Sequence, residues 1–249
     1  MAIDPVPVQS GTDPARVVMI SGGARGIGKA IVRQLLDNGL CVSMGVRSPG
    51  GAGQTFGQDD PLRLLIHRFD ALLPETAPDW LDATIARFGK IDVLINNAGI
   101  WRALDFESGD ESVLDEVLAV NVKAPFRLIK LALPWLRRSG RGRIINIGST
   151  DGKRYRNTDT SIAYSVSKSA LITLTHAARH AGWEDGVRVT AICPGGVKTD
   201  LLDDVPGASP AANLLEPETV AETVLFLIRL PNTASIAELI VNTRLEPNM

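Results

Sequence analysis

The chain has 249 residues, 45% of them hydrophobic, and its 26 lysines and arginines against 28 acidic residues give a formal net charge of -2. This balance provides no basic field, so we expect neither nucleic acid nor an anionic membrane as a partner.

No apolar run approaches the roughly 20 residues of a membrane span. The first residues lack a secretory signal, and Cys41 and Cys193 lie in apolar runs, which favours a reducing cytoplasm. We expect a single domain over residues 1–249, with a mobile leader over 1–13.

Short apolar runs alternate with longer stretches of helical period, which predicts a doubly wound, Rossmann-type α/β fold with helices on both faces of a parallel sheet. The seven predicted strands are 17–21, 41–46, 62–69, 92–97, 143–149, 187–193 and 238–243. The predicted helices are 27–38, 75–88, 112–138, 162–182 and 217–230, and the glycines expected to cap helix ends are Gly39, Gly89, Gly140 and Gly186. Residues 48–61 are rich in glycine and proline, so a loop or a helical stub is expected there.

A glycine-rich turn links the first predicted strand to the first predicted helix, in VVMISGGARGIGKAIV at 17–32. Gly22 would permit the tight turn, Gly26 would let the backbone approach a pyrophosphate, and Gly28 would let helix and strand pack closely. The N-terminus of the helix offers free N–H groups to that phosphate. Glycines also serve only to turn a chain, so this motif needs support from others.

A tyrosine and a lysine stand one helical turn apart in AYSVSK, at Tyr164 and Lys168. Residues i and i+4 share a helix face, so both side chains can enter one pocket. A free tyrosine titrates at about 10, and a nearby cation favours the phenolate and lowers that pKa. The pair is therefore a candidate acid/base centre, although an ordinary solvated helix face would explain the same spacing.

Several further segments follow the glycine turn in a fixed order. They are NNAG at 96–99, Asn121 in VNV, Ser149 at the end of the fifth predicted strand, the Tyr164 and Lys168 pair, and PGGVKT at 194–199. With the glycine turn, this order resembles the short-chain dehydrogenase/reductase family from about Val17 to about Thr199. Beyond Thr199 the resemblance fades, because the glycine-rich ending of many relatives is missing.

The resemblance implies a reaction in which hydride passes to or from a nicotinamide. Tyr164 would be the general acid or base, and Lys168 would modify its pKa and hold the nicotinamide ribose. Ser149 would bind the substrate oxygen in an oxyanion-type role, and Asn121 would hold a water that links Lys168 to solvent. Without the family pattern, Ser149 would be an ordinary strand-end hydroxyl and Asn121 a residue that satisfies the backbone of a bent helix.

The second predicted strand indicates which dinucleotide is bound. An NAD-selective site places an acid at its end, whereas a 2′-phosphate needs an arginine. Here Gly45 or Val46 stands at that position, Arg47 follows, and Arg25 could reach the same phosphate. We predict NADP(H), with NAD(H) less favoured. By resemblance, the other cofactor contacts are Gly22, Gly26, Ile27, Gly28, Asp70, Asn97, Gly99, Tyr164, Lys168, Pro194, Gly195, Val197 and Thr199.

The substrate is expected to lie among three segments. These supply Trp101 and Arg102, the basic loop 152–157 with Arg154, and a short mobile lid at 200–216. The cations suggest a polar or anionic substrate, whereas a solvated loop is the alternative. The predicted function is NADPH-dependent reduction of a carbonyl, of a 3-oxoacyl or small polar or anionic compound. The alternatives are an NAD-dependent alcohol dehydrogenase and a non-catalytic nucleotide-binding protein.

Two further expectations concern metals and assembly. His176 and His180 are spaced one helical turn apart but lack a nearby carboxylate in the sequence, so no metal site is predicted. By resemblance, the helices at 112–138 and 162–182 pair across a two-fold axis, which implies a homodimer or homotetramer.

Overall fold

The computed structural model describes residues 15–56, 61–107, 109–156, 160–202, 205 and 214–243. They contain a seven-stranded parallel sheet of order β3-β2-β1-β4-β5-β6-β7. Its strands are β1 (Val17–Ser21), β2 (Cys41–Val46), β3 (Leu64–Arg68), β4 (Val93–Asn96), β5 (Arg143–Ile147), β6 (Arg188–Pro194) and β7 (Glu238–Val241). The predicted doubly wound fold is confirmed, and the predicted leader at 1–13 lies outside the described residues.

The helices are α1 (Gly26–Asp37), α2 (Pro49–Phe56), α3 (Thr76–Phe88), α4 (Glu111–Leu118), α5 (Ala124–Arg138), α6 (Ile162–Gly182) and α7 (Pro217–Arg229). The short helix α2 is the stub predicted within residues 48–61, of which 57–60 are not described. The four predicted capping glycines all have positive φ, between 65° and 78°. In the described part of the chain, no helix is long and apolar enough to cross a membrane.

The helix predicted over 112–138 is present as helical backbone from Glu111 to Arg138, but it is not regular α-helix throughout. A π-helical turn over Ala119–Lys123 separates α4 from α5, and the Ala124 N–H bonds to the carbonyl of Ala119, five residues back. Asn121 lies inside this turn and is buried. The apolar periodicity continues through the break, so it gives no sign of the extra residue.

Both faces of the sheet are covered, which explains why its strands are continuous apolar runs. Every residue of β1 is buried. On one face, Ile31 and Leu35 of α1 belong to the same core cluster as Leu227 of α7. On the other face, Trp80 of α3 and Leu128 of α5 are both fully or almost fully buried.

A chain of buried polar side chains fixes α6 against the sheet. The Nδ2 of Asn96 on β4 donates to Asn146 Oδ1 on β5 over 2.7 Å, and Asn146 Nδ2 donates to Thr175 Oγ1 on α6 over 2.8 Å. Thr175 in turn donates to the carbonyl of Leu171 over 2.8 Å. Because buried polar groups favour the arrangement in which they are paired, this chain sets the position of α6 relative to the strand ends.

Candidate active site

A cleft of about 730 Å³ opens at the carboxyl ends of the strands. The strand order reverses between β1 and β4, and such a switch point is where ligands bind in open α/β sheets. Every residue predicted to contact a cofactor lines this cleft: Gly22, Arg25, Gly26, Ile27, Gly28, Arg47, Asp70, Asn97, Gly99, Tyr164, Lys168, Pro194, Gly195, Val197 and Thr199. Ser149, Trp101 and Arg102 also line it, whereas Asn121 and Arg154 are not among its lining residues.

The glycine turn forms a cradle that any larger residue would fill. A Cβ on Gly28 would lie 2.1 Å from the carbonyl oxygen of Gly22, and a Cβ on Gly26 would lie 3.0 Å from Thr199 Cγ2. Asn97 holds the turn by donating from Nδ2 to the carbonyls of Ser21 and Gly22, over 3.0 and 2.9 Å. The cap residue of α1 makes no side-chain bond to the helix N-terminus. The cradle therefore fits the phosphates of a dinucleotide.

Neither of the two positions at the end of β2 where an NAD-selective site places an acid is acidic, and at one of them, Gly45, a side chain would meet Trp80. A Cβ on Gly45 would lie 2.8 Å from the ring of Trp80, which packs under the strand. Arg47 follows and lines the cleft, as does Arg25. The Arg25 guanidinium lies 3.9 Å from the Asp200 carboxylate, and both side chains are mostly exposed. Arg25 and Arg47 thus line the cleft in the segments that follow β1 and β2.

Tyr164 and Lys168 project from the first turns of α6 into the cleft. Ser161 caps this helix, and its hydroxyl accepts from the Tyr164 N–H over 3.2 Å. The Lys168 Nζ is buried, donates to the Ile147 carbonyl over 2.9 Å, and lies 5.5 Å from the centre of the Tyr164 ring. Burial, which disfavours the charged form, lowers the pKa of Lys168 to about 8.

The pKa of Tyr164 differs from the expectation drawn from its spacing to Lys168. Burial of the phenol raises the pKa well above its usual value, the negative charge of Asp151 raises it further, and an interaction with Ser149 lowers it. The desolvation of the phenolate outweighs any effect of the lysine, whose ammonium is directed at the Ile147 carbonyl. Tyr164 therefore stays a protonated phenol at neutral pH, as an ordinary tyrosine also would, and it gives up its proton only to an oxygen on which strong negative charge develops.

The Ser149 hydroxyl has one hydrogen-bonding role already filled. Ser149 caps the short 3-10 helix Thr150–Gly152, and its Oγ accepts from the Asp151 N–H over 3.1 Å. The same hydroxyl also hydrogen-bonds with the Tyr164 side chain, which lowers the pKa of the phenol. A donor beside the Tyr164 phenol is the arrangement required to bind a substrate oxygen on which negative charge develops.

Asn121 does not line the cleft but contacts two segments that do. Its Nδ2 donates to the Ile100 carbonyl and its Oδ1 accepts from the Ile100 N–H, each over 2.9 Å. Nδ2 also donates to Ser167 on α6 over 3.0 Å. A Cβ on Gly99 would lie 3.4 Å from both Asn121 Oδ1 and Lys168 Nζ. Asn121 thus holds the segment after β4 against the helix that carries the acid/base pair.

The cleft contains two ion pairs that the sequence did not indicate. Arg102 donates from Nη2 to Glu116 Oε1 over 3.3 Å. Arg156 donates from Nε to Asp151 Oδ1 and from Nη2 to Thr150 Oγ1, each over 2.9 Å. All four charged residues line the cleft. They lie far apart or on loops, and no periodic pattern marks such pairs.

The side chains of the basic loop 152–157 do not all lie in one place: one lines the cleft and another contacts the edge strand β7. Lys153 forms an ion pair with Glu238 on β7, and the other oxygen of that carboxylate bonds to His176 Nε2 over 2.7 Å. Arg156 lines the cleft, whereas residues 157–159 lie outside the described part. Lys153 thus contacts the edge strand and Arg156 lines the cleft, and the contact of this loop with a substrate stays a prediction. His176 bonds to a carboxylate, and the described residues contain no cluster suited to a metal.

Only parts of the predicted lid at 200–216 are described. Asp200–Leu202 form a 3-10 turn, and Val197 pairs with Leu215 in an isolated bridge. Leu202, Val205 and Leu214 line the cleft. Residues 203, 204 and 206–213 lie outside the described residues.

The fold is Rossmann-type, and the glycine turn, Tyr164 and Lys168 line one cleft at the carboxyl ends of its strands. Residues 16–208 match the model of the short chain dehydrogenase family. The chain therefore belongs to the short-chain dehydrogenase/reductase family and is an oxidoreductase.

Individual relatives agree with this assignment. The chain is 37% identical over 223 residues to an agropine synthesis reductase of Rhizobium rhizogenes. The aligned region covers 88% of this chain but 50% of that relative, so the chain spans about half the length of the relative. It is 31% identical over 222 residues to an acetoacetyl-CoA reductase of Rhizobium meliloti, which covers 86% of this chain and 90% of the relative. Among solved structures, an alcohol dehydrogenase from the archaeon Thermococcus sibiricus complexed with 5-hydroxy-NADP is 27% identical, with a TM-score of 0.81 over 94% of this chain and 100% of that one.

Proposed function

We propose that the protein reduces the carbonyl group of a small molecule to an alcohol with NADPH. The observation that carries this proposal is the buried, protonated Tyr164 phenol in the cleft that also contains the glycine cradle. A group that stays protonated at neutral pH suits reduction, in which the substrate oxygen must gain a proton.

The residues that would hold the dinucleotide follow from the cleft. Gly22, Gly26 and Gly28 would receive its pyrophosphate at the N-terminus of α1, and Lys168 would bind the nicotinamide ribose. Arg47, together with Arg25, would bind the 2′-phosphate, because a guanidinium matches phosphate geometry. By the family resemblance, Asp70 would contact the adenine, and Asn97, Gly99, Ile27 and the segment Pro194 to Thr199 would complete the site. The archaeal relative's complex with 5-hydroxy-NADP supports this choice of cofactor. When bound, the nicotinamide supplies the hydride.

The protein's own part is to orient the carbonyl and to move one proton. Ser149 donates a hydrogen bond to the carbonyl oxygen, which fixes it beside the Tyr164 hydroxyl. As negative charge develops on that oxygen, the phenol O–H bond breaks and the alcohol O–H bond forms. The resulting phenolate is stabilised by Lys168, whose pKa of about 8 leaves it mostly protonated at pH 7. By the resemblance, Asn121 would hold a water on the path that returns the proton.

Two alternatives predicted from the sequence are less well supported. An NAD-dependent alcohol dehydrogenase would need an acidic group at the end of β2, where this chain has Gly45 and Val46. A non-catalytic binding protein would have no use for a buried phenol between Ser149 and Lys168. Of the two substrate polarities expected, polar and anionic, the pairing of Arg102 and Arg156 with carboxylates favours the polar one.

Assembly and compartment remain proposals. Phe126 of α5 and Val166 of α6 have 55% and 47% of their surface exposed, on the helices expected to pair. We propose that these helices form the contact of a homodimer, with a homotetramer as the larger form. We also propose a single domain in the cytoplasm.

The test is a panel of ketones and aldehydes offered with NADPH or NADH, followed by the absorbance of the reduced cofactor. Tyr164→Phe is expected to lower kcat by about 10²- to 10⁴-fold, the usual contribution of a general acid. Tyr155→Phe is the matched control, since Tyr155 is the other tyrosine and is half exposed. Full turnover by Tyr164→Phe, or no carbonyl-dependent oxidation of either cofactor by the wild type, would contradict the proposal.

A further inference from the structure

Asp151 occupies a distinctive place beside the proposed proton donor. It follows Ser149 by two residues, and its N–H is fixed on the Ser149 hydroxyl. Its side chain lines the cleft with Tyr164, and its charge acts on the phenol. A carboxylate so placed faces whatever the carbonyl carbon carries.

The two oxygens of the Asp151 carboxylate have different surroundings. Oδ1 accepts from Arg156, which is also tied to Thr150 Oγ1, so the carboxylate is held in one orientation. Among the described residues, Oδ2 accepts no hydrogen bond, and 21% of the side chain remains exposed. A fixed, partly desolvated acceptor on a residue that lines a cleft favours a ligand that brings a donor.

The charges around this acceptor decide between a hydroxyl and an ammonium donor. Asp151 is paired with Arg156 and Glu116 is paired with Arg102, while the buried Lys168 ammonium is directed at the Ile147 carbonyl, so the two exposed cations are each balanced by a carboxylate. An ionic group on the substrate would therefore meet a like charge beside each opposite one. A neutral donor meets no such repulsion.

From this geometry we infer that Asp151 is a specificity-determining residue that accepts a hydrogen bond from a hydroxyl group near the substrate carbonyl. The inference rests on the proposed carbonyl reduction and narrows its substrates to neutral, hydroxylated ketones or aldehydes. Arg156 is a positioning residue that holds the acceptor in place.

The experiment compares kcat/KM with NADPH for ketones of one chain length: butanone, acetoin and erythrulose, which carry increasing numbers of hydroxyl groups. Acetoacetate and aminoacetone serve as anionic and cationic comparators. We expect wild-type enzyme to prefer erythrulose to butanone, and Asp151→Ala to reduce that preference by about tenfold, mainly through KM, because a hydrogen bond to a charged acceptor contributes about that much. Removing the carboxylate also changes the Tyr164 pKa, but this affects both ketones and cancels in the ratio.

Two further variants sharpen the result. Asp151→Asn keeps the size of the side chain and is expected to lose part of the preference, which guards against a folding defect in Asp151→Ala. In both variants Arg156 loses the Asp151 carboxylate, so acetoacetate is expected to gain relative to erythrulose. Asp82→Ala, at an exposed position of α3, is the control and should leave every ratio as in the wild type.

The outcomes distinguish a failure of the Asp151 inference from a failure of the proposed carbonyl reduction. A wild type that reduces butanone and erythrulose equally well, or a preference that survives in Asp151→Ala, overturns the role of Asp151 and leaves the reductase standing. A wild-type preference for aminoacetone or acetoacetate overturns the neutral-hydroxyl assignment in the same way. A wild type that reduces none of these compounds overturns carbonyl reduction together with the inference.

Discussion

Replacement of Lys168 by methionine is expected to abolish turnover and yet to stabilise the folded protein at neutral pH. The ammonium is buried, with 4% of the residue exposed, and burial lowers its pKa from 10.5 to about 8. A tenfold difference in proton affinity between the folded and unfolded states corresponds to about 1.4 kcal/mol, so keeping the charge in the folded state costs about 3 kcal/mol at pH 7. Methionine removes this cost at similar length.

The substitution also removes the donor from the Ile147 carbonyl, which costs about 1 kcal/mol. The net expected gain in the free energy of unfolding is therefore about 2 kcal/mol at pH 7. The cost at the carbonyl does not depend on pH, whereas the cost of the charge does. A comparison at two pH values isolates the titration of Lys168 from every other effect of the change.

The direction of the pH effect follows from the depressed pKa. Between about pH 8 and 10.5 the unfolded lysine binds more protons than the folded one, so wild-type stability rises with pH through this range. Near pH 10 the free-energy cost of burying Lys168, relative to the unfolded state, has fallen to about 1 kcal/mol. The variant's advantage should therefore shrink from about 2 kcal/mol at pH 7 to almost nothing at pH 10.

The assay is urea unfolding of the wild type and Lys168→Met at pH 7 and pH 10, at one protein concentration because an oligomer couples stability to concentration. Lys130→Met, at an exposed position of α5, is the control and should track the wild type at both pH values. An advantage that stays constant or grows between pH 7 and pH 10 would refute the reasoning, because it would show that Lys168 is not held charged against its environment.

The remaining predictions concern the cofactor cradle and assembly. Arg47→Ala should raise the apparent KM for NADPH much more than that for NADH in steady-state assays, and equal changes would remove the argument for a 2′-phosphate site. Gly28→Ala should weaken binding of either dinucleotide by at least tenfold in fluorescence titration, because its Cβ would lie 2.1 Å from the Gly22 oxygen, and unchanged affinity would show that the turn adapts. Phe126→Glu should shift the protein to smaller species in sedimentation, and an unaltered profile would move the interface elsewhere.

Much of the fold could be predicted because its signals are local. Each strand is a short apolar run, and the turn between β1 and α1 carries its glycines within a few residues. The positions of Tyr164 and Lys168 follow from helix geometry alone. These features depend on neighbours along the chain, so a single sequence contains them.

The features that escaped prediction depend on distant partners. The π-turn places the Asn121 side chain in hydrogen bonds with the backbone of Ile100, 21 residues away in sequence. The predicted lowering of the Tyr164 pKa failed because burial, which comes from the whole fold, outweighs one neighbouring charge. Arg154 was chosen from the basic loop, but it is Arg156 that lines the cleft, since only the folded loop decides which side chain turns inward.

Glu238 is a residue outside the cleft lining that supports the active-site loop through contacts with residues distant in sequence. It lies on the last strand of the sheet and links Lys153, next to the turn that Ser149 caps, to His176 on the helix that carries the tyrosine. Lys153 and Glu238 are 85 residues apart in sequence. A mutant library drawn only from residues around the substrate would omit this carboxylate, and a transplant of the active-site loop into a related scaffold without it would lose its anchor. Anyone who redesigns the specificity of this enzyme should carry the final strand along with the loop.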